Sequence, residues 1–425
     1  MAEILATPSA ATEEMAAASA HHEPPHLDDP GALLRERVAA RTAVYGPSIW
    51  TNILTLFERH PDPVYFGDGA PSPEEMPVAK LREASQKAWQ TAPASLGYGE
   101  SAGFQPLREL IAARMKPRGI EADPGEIIVT AGSTQGIELA CKVMLDPGDV
   151  VLVENPTFLG ALETFGAYEP RFATVPLDEY GMDVEALARI LIAEPRAKII
   201  YTIPTFQNPT GSTMPLARRE RLIEIARQHN VLLVEDDPYG ELQYDGEPVP
   251  PLRALAPEVL YLGTFSKTIA PAIRTGWTVA PPALFPLLLG AREAIDIHND
   301  RIAMRTVYHT AADGLDEHLV GARARYQRQR DALLAALEEH MPEGVTWSRP
   351  AGGFFIWVTL PEHVDVMRLS TLAADHGVIF FPGHWFYPNR ERRNVLRLSF
   401  STVPEPRIHE GIARLAAALA AYPPE

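Results

Sequence analysis

The segment IIVTAGSTQ at residues 127–135 sets the architecture of this chain. Its first four residues are apolar or β-branched, and such a short run predicts a buried strand. The next three, Ala131-Gly132-Ser133, predict a turn, and a helical pattern follows through Leu139. A strand that leads through a glycine turn into a helix is the repeating unit of an alternating α/β architecture.

The same alternation continues on the C-terminal side of this segment. Further apolar runs predict strands at Val150–Val153, Ile199–Thr202, Val231–Val234, Tyr261–Gly263 and Thr278–Val279. Helical patterns such as Leu216–His229 lie between them. Apolar strands that alternate with helices predict a largely parallel sheet covered on both faces.

The two ends of the chain carry a different pattern. Helical periodicity begins near residue 29 with Leu33, Leu34 and Val38, and two amphipathic segments follow at Leu81–Trp89 and Leu107–Met115. A long charged helix is predicted at Asp316–His340, and two strands at Phe354–Val358 and Val395–Phe400. We therefore expect a second, smaller α+β domain. The predicted boundaries are 1–27 for a disordered leader, 28–79 for the N-terminal segment of the small domain, 80–310 for the large domain and 311–425 for the small C-terminal domain.

Composition narrows the class of protein. The chain has 425 residues, 46% apolar and 22% charged, as in ordinary globular proteins. The net charge of −17 argues against non-specific binding to nucleic acid or anionic membranes. No apolar run is long enough to span a bilayer, and no secretory signal is recognisable, so we expect a cytoplasmic location. The single Cys141 excludes an internal disulfide and a cysteine-rich metal site, and no metal site is predicted.

Lys267 is the most informative of only six lysines. It follows the apolar run Val259–Phe265. Burial at the end of a strand lowers the pKa of an amine, and a neutral amine attacks a carbonyl to form a Schiff base. The same position suits a lysine that reaches water at a sheet edge, and the local pattern alone favours that interpretation.

Three further segments carry polar groups at strand ends. Asp236 and Asp237 follow an apolar strand, where ligands bind in open α/β sheets, although either can also serve as a turn or helix-capping residue. Gly132-Ser133-Thr134 opens a helix and suits a phosphate, although an ordinary helix start has the same pattern. Asn208-Pro209-Thr210-Gly211 predicts a turn.

The joint order of these segments makes them specific, because the chain resembles the class I/II aminotransferases of the fold-type I pyridoxal 5'-phosphate (PLP) family. Its likeness is to the 2-aminoadipate/kynurenine-type enzymes and covers roughly residues 45–418. The matching stretches are Tyr98-Gly99 with Gly103 and Leu107-Arg108, Thr130–Gln135, Glu154–Phe158, Asn208–Gly211, Glu235–Tyr239, Ser266-Lys267 with Pro271, Arg274 and Gly276-Trp277, Gly352–Phe354, Phe386–Pro388 and Leu396–Phe400.

The resemblance implies a fold and an activity. The fold is α/β, with a large PLP-binding domain built on a mostly parallel seven-stranded sheet flanked by helices, plus the smaller α+β domain. The activity moves the amino group of an α-amino acid to a 2-oxo acid. Lys267 would carry PLP as an internal aldimine, and after a substrate amine displaces it, would move the substrate proton on the way to a pyridoxamine intermediate.

The resemblance also implies residue roles. Asp236 would pair with the pyridine nitrogen, Asn208 and Tyr239 would bond the 3-oxygen, and Phe158 would stack on the ring. The phosphate would be held by Ser133, Thr134, Gln135, Ser266 and Arg274. Arg397 would bind the substrate α-carboxylate, with Gly69 and Asn208 beside it. Tyr98 would reach the cofactor of a second copy, which implies a homodimer with shared active sites.

Two departures from the family pattern bear on the site. Ala272 stands where many relatives have glycine, beside the predicted phosphate site. The segment around Arg301 is unusually polar, so Arg301 either binds a distal substrate carboxylate or forms an ion pair at a surface or interface.

Substrate choice is less readable. Trp50, Leu54, Trp385 and Phe386 are apolar candidates for a side-chain pocket, although each can equally be packing. They suggest an aromatic, branched or long aliphatic amino acid, or 2-aminoadipate.

Two alternative functions stay open at this point. The same constellation also serves other PLP reactions, namely β-elimination, racemisation, decarboxylation or oxidative biosynthesis, because the cofactor performs the difficult chemistry. The fold also occurs in effector-sensing regulators, but residues 1–45 are shorter and less basic than a winged-helix module requires.

Overall fold

The computed structural model describes residues 34, 37–45, 49–91, 93 and 95–423. The chain divides into two compact units, residues 1–46 and 47–425. The described part of the first unit contains a short 3-10 helix, Ala40–Val44. The predicted leader and Leu33 lie outside the described residues, and Leu34 and Val38 are exposed.

The second unit contains the helices and strands that matter for function. Its α-helices are α1 Ile49–Phe57, α2 Val78–Gln90, α3 Gln105–Met115, α4 Ser133–Met144, α5 Leu159–Gly166, α6 Val184–Ala193, α7 Leu216–His229, α8 Leu252–Leu255, α9 Phe285–Asp296, α10 Arg301–Ala312, α11 Leu315–His340, α12 Val366–Asp375 and α13 Glu405–Ala420. Short 3-10 helices lie at Lys116–Arg118, Pro124–Glu126, Pro271–Ile273 and Gly383–Phe386. In the part of the chain that the structure describes, no helix is long and apolar enough to cross a membrane.

The strands form one large sheet and two small ones. They are β1 Val64–Tyr65, β2 Ile127–Thr130, β3 Val150–Asn155, β4 Arg171–Asp178, β5 Gly181–Met182, β6 Ala197–Thr202, β7 Leu232–Asp236, β8 Leu260–Thr264, β9 Gly276–Val279, β10 Thr346–Trp347, β11 Phe355–Thr359, β12 Val378–Ile379, β13 Phe381–Pro382 and β14 Val395–Ser399. The large sheet has the order β2-β9-β8-β7-β6-β3-β4-β5.

Strands β4, β3, β6, β7 and β8 run parallel to one another, and β9 is antiparallel to both β8 and β2. The mostly parallel sheet is therefore confirmed. The expected seven strands are joined by the two-residue β5, which pairs antiparallel with β4 at the edge.

Each face of the large sheet has its own hydrophobic core. Val151 and Val153 of β3 pack into one cluster of buried residues, while Val150 and Leu152 of the same strand pack into the other. Successive side chains of a strand point to opposite faces, so a continuous apolar run fills both cores. This pattern is why the sequence predicted the parallel strands.

The small sheets join distant parts of the chain. An antiparallel sheet has the order β10-β11-β14-β13. The N-terminal strand β1 pairs in parallel with β12, with Val64 opposite Val378. The separate antiparallel sheet confirms the second, α+β part of the predicted fold. The exact domain boundaries stay a prediction.

Besides the two-residue strands β1, β5, β10, β12 and β13, the sequence analysis missed one longer strand. Strand β4 (Arg171–Asp178) alternates between exposed and buried residues near the sheet edge. Its sequence RFATVPLD has no continuous apolar run, so it lacks the signal by which the central strands were found.

A buried arginine shapes the loop that carries Asn208. The Arg219 side chain is fully buried and donates to the carbonyl oxygens of Met214, Pro204 and Pro250 at 2.9–3.1 Å. It also donates to Thr205 Oγ1 at 2.9 Å. Buried backbone carbonyls need partners, and one guanidinium satisfies several of them at once. The loop after β6 is thereby fixed against α7.

Candidate active site

A cavity of about 400 Å³ lies at the carboxyl ends of the parallel strands. This edge is where ligands bind in open α/β sheets. Eleven of the thirteen predicted site residues line the cavity: Gly69, Ser133, Thr134, Phe158, Asn208, Asp236, Tyr239, Ser266, Lys267, Arg274 and Arg397. Most of them lie at or just after the ends of five different strands, which explains why they are scattered along the sequence.

Lys267 lies in the turn after β8 and reaches into the cavity. Its Nζ donates to the carbonyl oxygen of Gly69 at 2.8 Å. Burial lowers the pKa of Lys267 to about 8, an effect that the nearby carboxylate of Asp68 opposes and the positive charges of Arg397 and Arg274 reinforce. A substantial fraction of the amine is therefore neutral near neutral pH, as a nucleophile or a base requires.

Asp236 is the last residue of β7 and is buried. Its Oδ2 accepts from the hydroxyl of Tyr201 at 2.7 Å, and its Oδ1 has no hydrogen-bond partner among the described residues. Burial raises the pKa of Asp236 to about 6, and the hydrogen bond from Tyr201 opposes the rise. A buried carboxylate oxygen that lines a cavity and lacks a partner is a ready acceptor for a ligand N–H.

The opposite end of the cavity suits an anion. Gly132 precedes α4 with φ 97°, and the helix N-terminus at Ser133 and Thr134 faces the cavity. Arg274 donates to the carbonyl oxygen of Ala131 at 2.6 Å. A Cβ on Gly132 would lie 2.5 Å from the Arg274 Nη2, so only glycine leaves room for the guanidinium here. Backbone N–H groups, hydroxyls and a cation are the groups with which proteins bind phosphate.

Arg397, on β14, is buried between aromatic rings. Its Nη1 donates to Asn208 Oδ1 at 3.0 Å and its Nη2 to the carbonyl oxygen of Gly67 at 2.7 Å. The guanidinium carbon lies 4.0 Å from the Phe355 ring centre and 4.9 Å from that of Phe381. Burial lowers the pKa of Arg397 to about 10. A buried guanidinium with only partial satisfaction by neutral oxygens is an anchor for a carboxylate.

Two aromatic residues define the walls. The Phe158 ring lines the cavity at the start of α5, and a Cβ on Gly160 would lie 2.6 Å from it. Tyr239 is buried with its ring edge-to-face against Phe354 and Phe355, and burial raises the pKa of its hydroxyl, so the hydroxyl stays protonated.

Gln135 and Tyr98 lie outside the cavity lining in the described part of the chain. The side chain of Gln135 accepts from the backbone N–H of Ala131 at 2.8 Å and donates to Asp296, and its own backbone N–H donates to Gly132. Tyr98 is 84% exposed and packs edge-to-face on His298. The structure therefore does not place Gln135 and Tyr98 among the eleven predicted site residues that line the cavity.

The apolar candidates for a substrate pocket have different positions. Phe386 lines the cavity, whereas Leu54 is 65% exposed and Trp385 lies outside the lining. Arg301 donates to the backbone carbonyl oxygen of Tyr98 at 3.1 Å, and its contacts also include that of Gly97. The distal-carboxylate role and the ion pair both stay predictions for Arg301. The side chain of Trp50 lies outside the described residues.

A buried polar network beneath the cavity was missed by the sequence analysis. The carboxylate of Glu154 accepts from Thr202 Oγ1 at 2.5 Å and from Gln207 Nε2 at 2.9 Å. Gln207 also bonds to Pro156 and Thr210. It thus ties the turn before Phe158 to the turn that carries Asn208. The matching stretch Glu154–Phe158 signalled this region, but no local pattern indicated the contact.

Three more residues near the cavity were missed. Tyr201 reads as an ordinary apolar strand residue, yet its hydroxyl orients Asp236. Asp68 and Glu163 line the cavity with carboxylates. Asp68 Oδ1 accepts from the N–H of Ala70 at 2.9 Å, and burial raises the pKa of Glu163. Asp68 directly precedes the predicted Gly69, and its charge was the available signal.

Known proteins resemble the chain over most of its length. The family model described as aminotransferase class I and II matches residues 62–415. Aromatic-amino-acid aminotransferase 1 of Thermococcus litoralis is 43% identical over 84% of this chain and 87% of its own, and 2-aminoadipate transaminase of Thermus thermophilus is 36% identical over 86% and 92%. The crystal structure of Pyrococcus horikoshii kynurenine aminotransferase, in complex with PMP, superimposes with a TM-score of 0.87 and 38% identity, covering 92% of this chain and 99% of that one.

The raised pKa of Asp236 predicts that the free energy of unfolding of the ligand-free protein falls as the pH rises. The folded state holds this proton up to about pH 6, whereas the ordinary value is 3.8, so the stabilisation is complete below 3.8 and is lost as the pH rises through about 6. Asp236→Asn cannot ionise. Its free energy of unfolding, relative to that of the native protein, should therefore rise by about 1–3 kcal/mol between about pH 4 and pH 7, as measured by urea denaturation.

The exposed Asp146→Asn, which makes the same chemical change at the surface, provides the matched control. An Asp236→Asn difference that stays constant between about pH 4 and pH 7 would contradict the buried, costly carboxylate.

Proposed function

Because this chain belongs to the class I and II aminotransferase family and is a PLP-dependent aminotransferase, we propose that the cavity at the strand ends is its active site and that the eleven lining residues act on cofactor and substrate. The observation that carries the proposal is the convergence of Lys267, Asp236, Arg274 and Arg397 on one cavity. Each offers a different group that PLP chemistry needs: an amine, a carboxylate, a phosphate ligand and a carboxylate anchor.

The cavity fits PLP at both of its ends. At one end, Asp236 Oδ1, which has no hydrogen-bond partner in the part of the chain that the structure describes, can accept from a protonated pyridine nitrogen. At the other, Gly132 precedes a helix N-terminus and lets the Arg274 guanidinium approach it, since a Cβ on Gly132 would lie 2.5 Å from the Arg274 Nη2. We propose that Ser133, Thr134, Ser266 and Arg274 hold the phosphate. The role expected of the Gln135 amide has less support, since that N–H bonds to Gly132.

The residues between these ends orient the ring. Phe158 would cover one face, while Asn208 and Tyr239 would donate to the 3-oxygen. Once bound, PLP supplies an electron sink for the negative charge that develops at the substrate Cα. Asp236 keeps that sink effective because a carboxylate at the ring nitrogen stabilises its proton, and Tyr201 holds the carboxylate in place.

Lys267 has two proposed tasks in this geometry. Its Nζ would carry the cofactor covalently, and when freed by a substrate amine it would act as the base that removes and returns a proton at the substrate Cα. The pKa of about 8 suits both tasks, because the neutral and protonated forms are both accessible near neutral pH. The carbonyl oxygen of Gly69 positions the amine at the cavity wall.

Arg397 would bind the substrate α-carboxylate with its planar guanidinium. Asn208 accepts from one Nη and the carbonyl oxygen of Gly67 from the other, which fixes the orientation of the fork. The adjoining Gly69 leaves space for the substrate, since a Cβ there would lie 3.3 Å from the Phe355 ring.

The remaining lining favours a large neutral side chain. Leu159, Phe355, Phe381 and Phe386 supply apolar and aromatic surface. With Lys267, Arg274, Arg397 and Asp236 assigned, the charged groups left in the described lining are the carboxylates Asp68 and Glu163. Like charges repel in a poorly solvated site, so a substrate with a distal carboxylate is disfavoured. We therefore propose aromatic amino acids as the preferred substrates, in line with the name of the Thermococcus litoralis relative.

We propose that the protein acts as a homodimer to which Tyr98 contributes across the interface. Exposed apolar side chains near Tyr98 include Leu96, two residues before it, and Ile297, which precedes the His298 that Tyr98 packs on. Clustered exposed apolar residues are typical of protein interfaces.

Sedimentation velocity should give a dimer, and Tyr98→Ala should weaken cofactor retention without changing the dimer. A monomer with full activity would contradict the proposal.

A cytoplasmic location also stays a proposal, supported by the need for free amino acids and 2-oxo acids as substrates. Fractionation of cells that produce the native protein would test it, and recovery in a membrane or exported fraction would contradict it.

Replacing Lys267 tests the central assignment. Lys267→Ala should lose the visible absorbance of covalently held cofactor and at least about a thousandfold in transamination rate, because it removes both the attachment point and the base. The rate is measured as 2-oxo acid formed from an aromatic amino acid. The exposed Lys142→Ala should keep both properties. Retained turnover in Lys267→Ala would refute the role of this lysine.

Substrate charge tests the proposed lining. The kcat/KM for phenylalanine should exceed that for glutamate and 2-aminoadipate by at least about tenfold. Asp68→Asn combined with Glu163→Gln should narrow this ratio, mainly through a lower KM for the acidic substrates. The amide side chain placed at position 68 keeps an oxygen for the Ala70 N–H, so the turn should be preserved. Equal use of glutamate and phenylalanine by the native protein would contradict the proposal while leaving transamination intact.

A further inference from the structure

A cluster of metal-ligating side chains lies away from the active site, where α11 meets α13. Glu339 and His340 are the last two residues of α11, and His409 lies in the first part of α13. One carboxylate oxygen and one nitrogen from each ring all lie within 4.8 Å of one another. No sequence motif indicated this cluster, because His340 and His409 are far apart along the chain and only the packing of the two helices joins them.

The spacing of the two imidazoles is that of metal ligands. His340 Nε2 lies 3.2 Å from His409 Nδ1. Two nitrogens bound to one zinc ion at about 2.1 Å in a tetrahedral arrangement lie about 3.4 Å apart. A carboxylate oxygen of Glu339 lies 3.9 Å from the same nitrogen of His340, within a small side-chain rotation of a third ligand position.

The scaffold beneath these side chains is rigid. Leu337 of α11 and Ile408 of α13 are fully buried in the same hydrophobic core. His340 and His409 are therefore attached to backbone segments whose relative position is fixed by packing. A site that is formed before the ion arrives avoids the entropy of ordering its ligands.

The local charge also favours a cation. The carboxyl terminus of a helix carries a partial negative charge, and α11 ends at His340. The carboxylate of Glu339 adds a full negative charge beside both rings, since its second oxygen lies 3.0 Å from the other ring nitrogen of His409.

We propose that Glu339, His340 and His409 bind a divalent transition-metal ion of the zinc class, with water in the fourth position. Two imidazole nitrogens and one carboxylate oxygen form a ligand set that suits Zn²⁺, whereas Ca²⁺ and Mg²⁺ prefer sites made of oxygen ligands alone. The ion would join the end of α11 to α13 and so stabilise the packing of these helices. Its partly exposed position, remote from Lys267, assigns it a structural role.

The test uses the full-length protein, produced without a histidine tag, loaded with PLP and freed of metal by a chelator. Zn²⁺ alone is titrated by calorimetry into the native protein, His340→Ala and His409→Ala. Loss of a group that merely supports a ligand weakens metal binding by about ten- to a hundredfold, so loss of a ligand should weaken this site at least about tenfold. His363→Ala, which removes an exposed histidine elsewhere, should bind as the native protein does.

Two further measurements make the result decisive. Saturating Zn²⁺ should raise the thermal unfolding temperature of the native protein and of His363→Ala, but not of His340→Ala, because only a folded site binds the ion. Transamination by all variants should be unchanged, which shows that each is folded. Identical Zn²⁺ titrations of the native protein and both cluster variants would overturn the proposal. So would Zn²⁺ binding that is abolished only by substitution of the two adjacent N-terminal histidines, His21 and His22.

Discussion

Burying charge at the carboxyl edge of the parallel sheet imposes the main energetic demand on this fold. Asp236, Lys267 and Arg397 all lie within the protein, and each would be far more stable in water. The protein compensates each charge only in part. Asp236 has one oxygen without a hydrogen-bond partner among the described residues, Lys267 donates a hydrogen bond to one carbonyl oxygen, and Arg397 donates to neutral oxygens. A charged ligand supplies the missing interactions, so the free energy that burial costs the ligand-free protein is regained when cofactor and substrate bind.

The surrounding structure holds these groups where they are. Arg219 fixes the loop after β6 through backbone carbonyl groups, and Gln207 ties that loop to the turn before Phe158. Tyr201 prevents rotation of the Asp236 carboxylate. These residues touch no substrate in our proposal, yet they decide whether the lining residues converge.

The central elements and most of the lining could be predicted from the sequence, and the reasons are physical. Strands buried on both faces are continuous apolar runs, and the sheet topology carries their ends to one edge. Helix α7 (Leu216–His229) was predicted at its observed bounds, which are marked by Pro215 before it and the left-handed Asn230 after it. Strand β4, which lies next to the edge strand β5, was not predicted, because only one of its faces is buried. Tyr201, Glu154 and the meeting of His340 with His409 were not predictable either, because a contact between side chains of separate elements leaves no trace in either segment.

The pairing of β1 with β12 has a consequence for the order in which a growing chain can mature. Val64 lies opposite Val378, so the segment from Gly67 to Ala70, which directly follows β1, is held in place by residues that a ribosome makes near the end of synthesis. The large sheet contains local βα units and can form earlier, whereas this closure must wait for a very distant partner. Gly69, the hydrogen-bond acceptor of Lys267, can therefore be held at the cavity only after residue 378 has been made. A nascent chain would have its cofactor platform assembled before it could retain a substrate, which separates cofactor loading from turnover in time.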